Sequence, residues 1–311
     1  MIIPPYLQKG DGIGLVAPAR KISVSELETS IQFLEDYGFR VVYDESLFAE
    51  ADQFAGNDEI RRGSFQSMLD RTDIAAIWCV RGGYGSARII DQLDFTTFCK
   101  HPKWICGYSD VTVFHSHILQ NYGIATLHST MPINVNQETR HQFSAQNMMQ
   151  LLMGDVMNYE IDPHPLNREG EATGVLVGGN LSILYSLNGT ISDLDTTNKI
   201  LFIEDLDEYL YHIDRMMLNL KRSGKLQSIK GLIVGGMSEM RDNTIPFGVD
   251  AEQIIRHYSE GYNFPICFEF PAGHIPENWP LKLGVSIEFS VDSYTFHEKA
   301  SFYFFTQTHE I

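Results

Sequence analysis

Through the first half of the chain, short apolar runs alternate with segments whose apolar residues recur at helical spacing. Residues 13–17 form the first run and stop at Pro18. Ser23 with Glu26 three positions on reads as a capping box, after which Val24, Leu27, Ile31 and Leu34 share one helical face and Gly38 can end the helix. The runs 39–43 and 74–80 predict two strands, separated by a helix over about 57–69. A fourth strand ends at Cys106-Gly107, and Val111, Phe114, Ile118 and Leu119 predict the helix behind it, closing near Gly123. Residues 124–127 give a fifth strand, and 136–153 read as helix. Such alternation predicts an α/β fold with a mostly parallel sheet, helices on both faces and ligand-binding loops at the strands' C-terminal ends.

The pattern changes at 154–170, where polar residues surround Asp162-Pro163-His164-Pro165, and this stretch reads as a linker between an N-terminal domain over 1–153 and a C-terminal domain over 171–311. The second half opens with a strand that runs through Gly178-Gly179-Asn180 into a helix. Residues 199–203 form a strand with Glu204 at its C-terminal end, followed by a helix through Tyr211, Met216 and Leu220. A strand at 231–236, a helix at 251–258 and a strand at 265–270 lead to Pro271-Ala272-Gly273-His274, and β-rich runs follow at 285–289 and 302–305. The second domain is expected to be α/β with a larger share of strand, and two domains imply a cleft.

Composition narrows the possibilities. The chain has 311 residues, 43% of them hydrophobic and 20% charged, which suits two globular cores and excludes a disordered or fibrous protein. A formal charge of -17 disfavours binding to a phosphate backbone, so no nucleic-acid partner is expected, and an anionic substrate needs local cations. The N-terminus lacks a basic segment followed by an apolar one, and no run approaches the ~20 apolar residues of a membrane span. A cytoplasmic protein without a membrane partner is expected. Cys79, Cys99, Cys106 and Cys267 show no Cys-x-x-Cys spacing, Cys79 and Cys106 lie within apolar strand-like runs, and the four read as buried thiols.

The chemistry concentrates at a few strand ends. Cys106-Gly107-Tyr108-Ser109-Asp110 reads as a nucleophile elbow: a strand, a sharp turn that exposes a serine, and a helix N-terminus whose free N–H groups, including that of Asp110, can stabilise an oxyanion. Small residues also occupy strand-turn-helix junctions for steric reasons, and the second glycine usual two positions after the serine is here Val111. Arg81-Gly82-Gly83-Tyr84-Gly85 follows the third strand, where glycines allow backbone N–H groups to approach an anion, although the pattern is neither a dinucleotide fingerprint nor a P-loop. With Glu204 and His274 also after strands, Ser109, Glu204 and His274 follow the order nucleophile, acid, base of a serine hydrolase triad, with its site in the interdomain cleft. Glu204 heads a run with Asp205, Asp207 and Glu208 that could simply favour a helix N-terminus. A metal at His115, His117 and His128 is disfavoured, because helix residues two apart do not face each other.

Together with Gly178-Gly179-Asn180-Leu181-Ser182, Ile203-Glu204-Asp205 and Ala272-Gly273-His274, these two loops resemble the LD-carboxypeptidase family of serine peptidases over nearly the whole chain. The resemblance implies a two-domain enzyme without metal or cofactor, a triad of Ser109, Glu204 and His274, and oxyanion donors at the backbone N–H of Gly83 and Asp110. It further implies a murein peptide as substrate, with terminal D-alanine released in cytoplasmic cell-wall recycling, and leaves a homodimer open. A related branch instead inactivates microcin C-type peptidyl or aminoacyl nucleotides. The candidate substrate-binding side chains are Arg81 for a free carboxylate, Tyr84, and Trp279, which could be an aromatic platform or plain packing. A two-domain binding protein without chemistry is the remaining alternative, and labelling by a serine-directed phosphonate discriminates against it.

Overall fold

A computed structural model describes the backbone of residues 1–294 and 297–304 and the side chains of residues 1–292. The described residues divide into two compact units, one of Met1–Asp155 with Trp279–Lys282, the other of Val156–Asn278 with the described residues from Leu283 onward.

The N-terminal unit runs β1 (Gly12–Val16), α1 (Val24–Asp36), β2 (Arg40–Val42), α2 (Asp58–Asp70), β3 (Ile74–Cys79), α3 (Ser86–Ile89), α4 (Thr96–Lys100), β4 (Trp104–Gly107), α5 (Thr112–Tyr122), β5 (Thr126–His128) and α6 (Phe143–Met153). Local chemistry sets the helix ends. Glu26 accepts the Ser23 N–H at 2.8 Å before α1, and Asn57 caps α2 by accepting the Ile60 N–H at 2.9 Å. Helix α6 starts later than the expected 136, because the Asn136 side chain takes the N–H groups of Glu138 and Thr139 and holds that stretch as a turn.

Strands β1 to β5 pair in parallel in the order β2-β1-β3-β4-β5, and β11 (Leu281–Leu283) joins the sheet beside β5. The chain leaves β1 toward β2 on one side and resumes at β3 on the other, so the loops after β1 and β3 flank the point where strand order reverses. Ligands bind there in open α/β sheets. Helices on both faces bury the strands, and Phe65 of α2 stacks on Phe114 of α5 at 4.1 Å between centroids.

The C-terminal unit runs β6 (Asn158–Ile161), β7 (Gly170–Asn180), α7 (Leu181–Leu187), β8 (Ile200–Leu206), α8 (Leu210–Arg222), β9 (Gly231–Ser238), α9 (Ala251–Tyr258), β10 (Ile266–Cys267), β12 (Ser286–Tyr294) and β13 (His297–Phe304). Its sheet order is β10-β9-β8-β7-β12-β13-β6, parallel from β10 to β7 and antiparallel from β7 to β6. The stretch read as a linker therefore contributes strand β6. Strand β10 is shorter than expected because Glu269 takes a positive φ of 56°, which breaks the extended run before the loop carrying His274. Phe305, at the end of the expected final run, lies outside the described residues.

Candidate active site

Strand β4 is buried at all four positions and delivers the chain to Gly107. A β-carbon on Gly107 would lie 2.9 Å from Val111 Cγ2, so this glycine makes the room that the branched side chain two residues after the serine would otherwise deny. Ser109 has φ 64°, in the left-handed region, at a cost of about 1–3 kcal/mol for a residue with a β-carbon. Such strain persists only where the surroundings impose it, here a buried strand before and α5 behind. The His115 ring fastens the turn, its Nε2–H donating to the Gly107 carbonyl at 2.9 Å. Burial presses the His115 pKa down to about 3, against the hydrogen bond to Gly107, so the ring is neutral. That is a structural histidine, committed through Nε2.

The glycine-rich loop after β3 meets the elbow within this same unit. A β-carbon on Gly82 would lie 2.9 Å from both Cβ and Oγ of Ser109, so only a residue without a side chain lets the loop approach the nucleophile this closely. Next to it, Gly83 has φ 117°, and a β-carbon there would lie 2.6 Å from Cγ and Cδ of Arg20. Two buried charges hold the loop's far side. The Asp110 carboxylate accepts the Ser86 N–H at 2.8 Å, and the Arg61 guanidinium donates to the carbonyls of Pro18 at 2.7 Å and Gly85 at 3.0 Å while pairing with Asp58. Burial raises the Asp110 pKa, opposed by the bonds from Ser86 and the charge of Arg61. Gly83 and Asp110, the two candidate oxyanion donors, thus lie on loops tied together through the Asp110 side chain.

In the C-terminal unit, Glu204 lies near the end of β8 where the ladder to β9 slips: Ile203 faces Val234, but Asp205 faces Met237. The extra residue on β9 falls at Gly235-Gly236, and their lack of side chains admits the 272–275 loop. A β-carbon on Gly235 would lie 2.4 Å from the Ala272 carbonyl, and one on Gly273 would lie 2.6 Å from Glu204 Oε2. Through that gap Glu204, fully buried, accepts the His274 Nδ1–H at 2.7 Å and the His274 backbone N–H at 3.2 Å. With its proton fixed on Nδ1, the ring offers Nε2 as a base. Burial alone would lower the His274 pKa, but the Glu204 carboxylate, with Asp205 behind it, outweighs burial and raises it. Asp205 points elsewhere: it accepts from Asn180 Nδ2 at 3.0 Å and from the Ser182 N–H at 2.9 Å. Burial and the Glu204 charge push its pKa up to about 7.

The other residues nominated by sequence fall in different settings. The Arg81 guanidinium reaches the Lys21 carbonyl at 3.3 Å and the Glu26 carboxylate at 3.4 Å. Tyr84 is 51% exposed, with its ring 6.2 Å from that of Phe54. Trp279 is half-buried and packs on Phe143 at 4.5 Å. Among the described residues, one other group, His164, Glu252 and Glu269, brings metal-type donor atoms within 4.8 Å of one another. There His164 Nδ1 accepts the Leu166 N–H, which leaves the ring proton on Nε2, facing Glu252 at 3.3 Å, where a metal would need a lone pair.

Profiles of the LD-carboxypeptidase N-terminal and C-terminal domains match residues 13–129 and 173–289. A probable murein peptide carboxypeptidase of Bacillus subtilis is 35% identical over 90% of this chain and 89% of its own length. The chain belongs to the LD-carboxypeptidase family. Among solved structures, a muramoyltetrapeptide carboxypeptidase of Oxalobacter formigenes superposes with a TM-score of 0.83 at 26% identity, over 94% of this chain and 98% of that one. A microcin C7 self-immunity protein in complex with aspartyl sulfamoyl adenosine gives a TM-score of 0.85 at 20% identity, over 97% and 98%, a likeness of fold alone.

This LD-carboxypeptidase also places at the candidate site groups that its sequence did not single out. Gly82 was legible only as one glycine of a loop, and its approach to Ser109 depends on β3 and β4 being sheet neighbours. Arg61 and the carboxylate of Asp110 gave no sequence signal, since buried charges look like surface charges until their partners are known. Arg20, two residues beyond Pro18, had one usable cue: it follows a strand's C-terminal end. Among the described residues, no helix is long and apolar enough to cross a membrane.

Proposed function

We propose that this enzyme hydrolyses the bond between an L-configured centre and a terminal D-alanine in murein tetrapeptides, with Ser109 as nucleophile, His274 as base and Glu204 as its orienting acid. The observation that carries the reading is the Glu204–His274 hydrogen bond of 2.7 Å, which fixes the tautomer that leaves Nε2 able to accept a proton. The strained Ser109, seated against a side-chain-free Gly82, supports it from the other unit.

In this mechanism Ser109 Oγ attacks the scissile carbonyl carbon while His274 Nε2 takes the hydroxyl proton. The carbonyl oxygen becomes an oxyanion, received by the backbone N–H groups of Gly83 and Asp110. His274 then returns the proton to the departing amine of D-alanine; in the second half-reaction the same nitrogen takes a proton from water as its oxygen attacks the acyl carbon, and gives that proton to Ser109 Oγ as the acyl group leaves. The Glu204 carboxylate stabilises the imidazolium formed in each half-reaction. Every proton and bond is accounted for by these side chains, so the scheme calls on no cofactor. Tyr84, exposed beside the glycine-rich loop, is proposed as a wall for the peptide. The packing of Trp279 on Phe143 favours a structural role over a platform for a nucleobase.

The test is incubation with a murein tetrapeptide, following D-alanine by mass spectrometry, in parallel with Ser109→Ala. Release that the variant lacks while it unfolds at the wild-type temperature is the expected result. Turnover of a peptidyl nucleotide with none of the tetrapeptide would transfer the site to the microcin-type substrate, which at present has only shared fold behind it. Cytoplasmic residence and a homodimer belong to the same proposal, and cell fractionation and sedimentation velocity test them.

A further inference from the structure

We propose that Arg20 is the cation that receives the substrate's terminal carboxylate. The inference rests on the carboxypeptidase reading and adds the residue that makes the enzyme act at a chain end.

Arg20 lies in the loop after β1, opposite the glycine-rich loop after β3, so the two flank the reversal of strand order in the N-terminal sheet. Its backbone is pinned from both sides: its N–H donates to the Gly82 carbonyl at 3.3 Å, and it bridges to Phe54. The side chain then runs across Gly83. A β-carbon at Gly83 would lie 2.6 Å from Arg20 Cγ and Cδ and 3.3 Å from Nε, so the apolar stem covers the glycine and the guanidinium projects beyond it. Any side chain at position 83 would displace Arg20.

The other cations around this loop are engaged. Lys21 pairs with Glu50 at 2.7 Å, Arg88 with Asp58 at 2.7 Å and Arg81 with Glu26 at 3.4 Å, while Arg61 is buried on the Pro18 and Gly85 carbonyls. Among the described residues, the Arg20 guanidinium has neither a hydrogen-bond nor an ion-pair partner, and the residue is exposed. An unpaired guanidinium on a protein of net charge -17, laid over a candidate oxyanion donor, has no evident structural duty.

Substrate chemistry explains it. In a peptide ending in D-alanine the terminal carboxylate is three bonds from the scissile carbonyl carbon, so its cation must sit beside the oxyanion donors. A guanidinium can bind both carboxylate oxygens in parallel, which rewards a free terminus over an internal peptide bond. The protein's overall negative field otherwise opposes an anionic end. Arg81, the cation nominated from sequence, spends its charge on Glu26 instead.

The experiment compares a tetrapeptide carrying a free terminal acid with its terminal amide, using wild-type enzyme, Arg20→Ala and Arg20→Lys. Wild-type enzyme should prefer the acid by roughly 10- to 100-fold in kcat/KM, the range for a hydrogen-bonded charge. Arg20→Ala should lose about that factor on the acid, mainly through KM, and little on the amide, with Arg20→Lys in between. Thermal unfolding should move little for Arg20→Ala and not for Arg20→Lys, which keeps the apolar stem over Gly83. Wild-type enzyme that releases no D-alanine from the acid would overturn the murein reading and Arg20 with it. Wild-type release combined with an Arg20→Ala loss that is equal on acid and amide, or absent on both, would overturn Arg20 alone.

Discussion

Gly82→Ala tests whether the glycine-rich loop sets the position of the nucleophile. A β-carbon at this position would stand 2.9 Å from both Cβ and Oγ of Ser109, whereas relaxed carbon contacts need about 3.5–4.0 Å. Loop and serine must therefore separate by roughly 0.6–1 Å. Ser109 cannot yield by a simple backbone adjustment, because its φ of 64° is imposed by β4 and α5, so the loop moves and carries the Gly83 N–H with it. A misplacement near 1 Å can cost about 100-fold in rate. The expected result is a kcat lower by roughly 10- to 100-fold with a smaller change in KM. Overpacking should also cost about 1–3 kcal/mol of stability, so rates are measured well below the midpoint of thermal unfolding. Labelling by a serine-directed phosphonate gives a second readout and should slow in parallel with kcat. Wild-type kcat and labelling in a folded variant would refute the reasoning, as would a loss that merely tracks the unfolded fraction.

Glu204→Gln should lower kcat by about 10⁴-fold, because the amide cannot stabilise the imidazolium and admits the wrong tautomer. Asp205→Asn should lower it far less and should instead cost about 1–3 kcal/mol of stability, by turning an amide nitrogen toward the Ser182 N–H or forfeiting the Asn180 bond. Steady-state kinetics beside thermal melts separate the two, and a larger kinetic loss at Asp205 would reverse the assignment. His274 must be neutral to accept the Ser109 proton, and its pKa is raised, so kcat/KM should fall as pH drops through a value above the ordinary 6.5. An acid limb below 6.5 in the wild-type pH–rate profile would contradict the influence of Glu204. Gly63, exposed in the interior of α2 with nothing within 4 Å of a β-carbon, should gain about 1 kcal/mol on mutation to Ala, read as a higher Tm at unchanged activity.

The elements around the site were legible where local chemistry decides structure. The caps at Ser23 and Asn57, the run into Gly107 and the helix behind Ser109 all follow from residues within a few positions of each other. What escaped was decided by neighbours distant in sequence. Strand β6 looked like linker because its pairing with β13 joins residues more than a hundred positions apart, and a four-residue strand has no period of its own. Arg81 stands out in the sequence because it adjoins the glycines, and the fold sets it beside Glu26 of α1, while Arg20, which no local pattern singles out, reaches Gly83 from another loop.

A parallel between the two units accounts for residues that sequence left interchangeable. Ser109 and Glu204, the proposed nucleophile and acid, are each followed by a buried aspartate that turns away from the proposed chemistry. Asp110 accepts the Ser86 N–H at 2.8 Å, and Asp205 accepts the Ser182 N–H at 2.9 Å. Both donors lie at the start of a helix that follows a neighbouring strand, α3 after β3 and α7 after β7. Consecutive residues leaving a strand point to opposite sides, so the first can face a substrate and the second the protein, and a carboxylate in the second position fastens the loop next door. The Glu204-Asp205 pair is therefore two devices and not one acidic cluster. Removing the first charge should change the pH profile and kcat, whereas removing the second should loosen the β7–α7 junction, reaching the chemistry only through the position of Glu204.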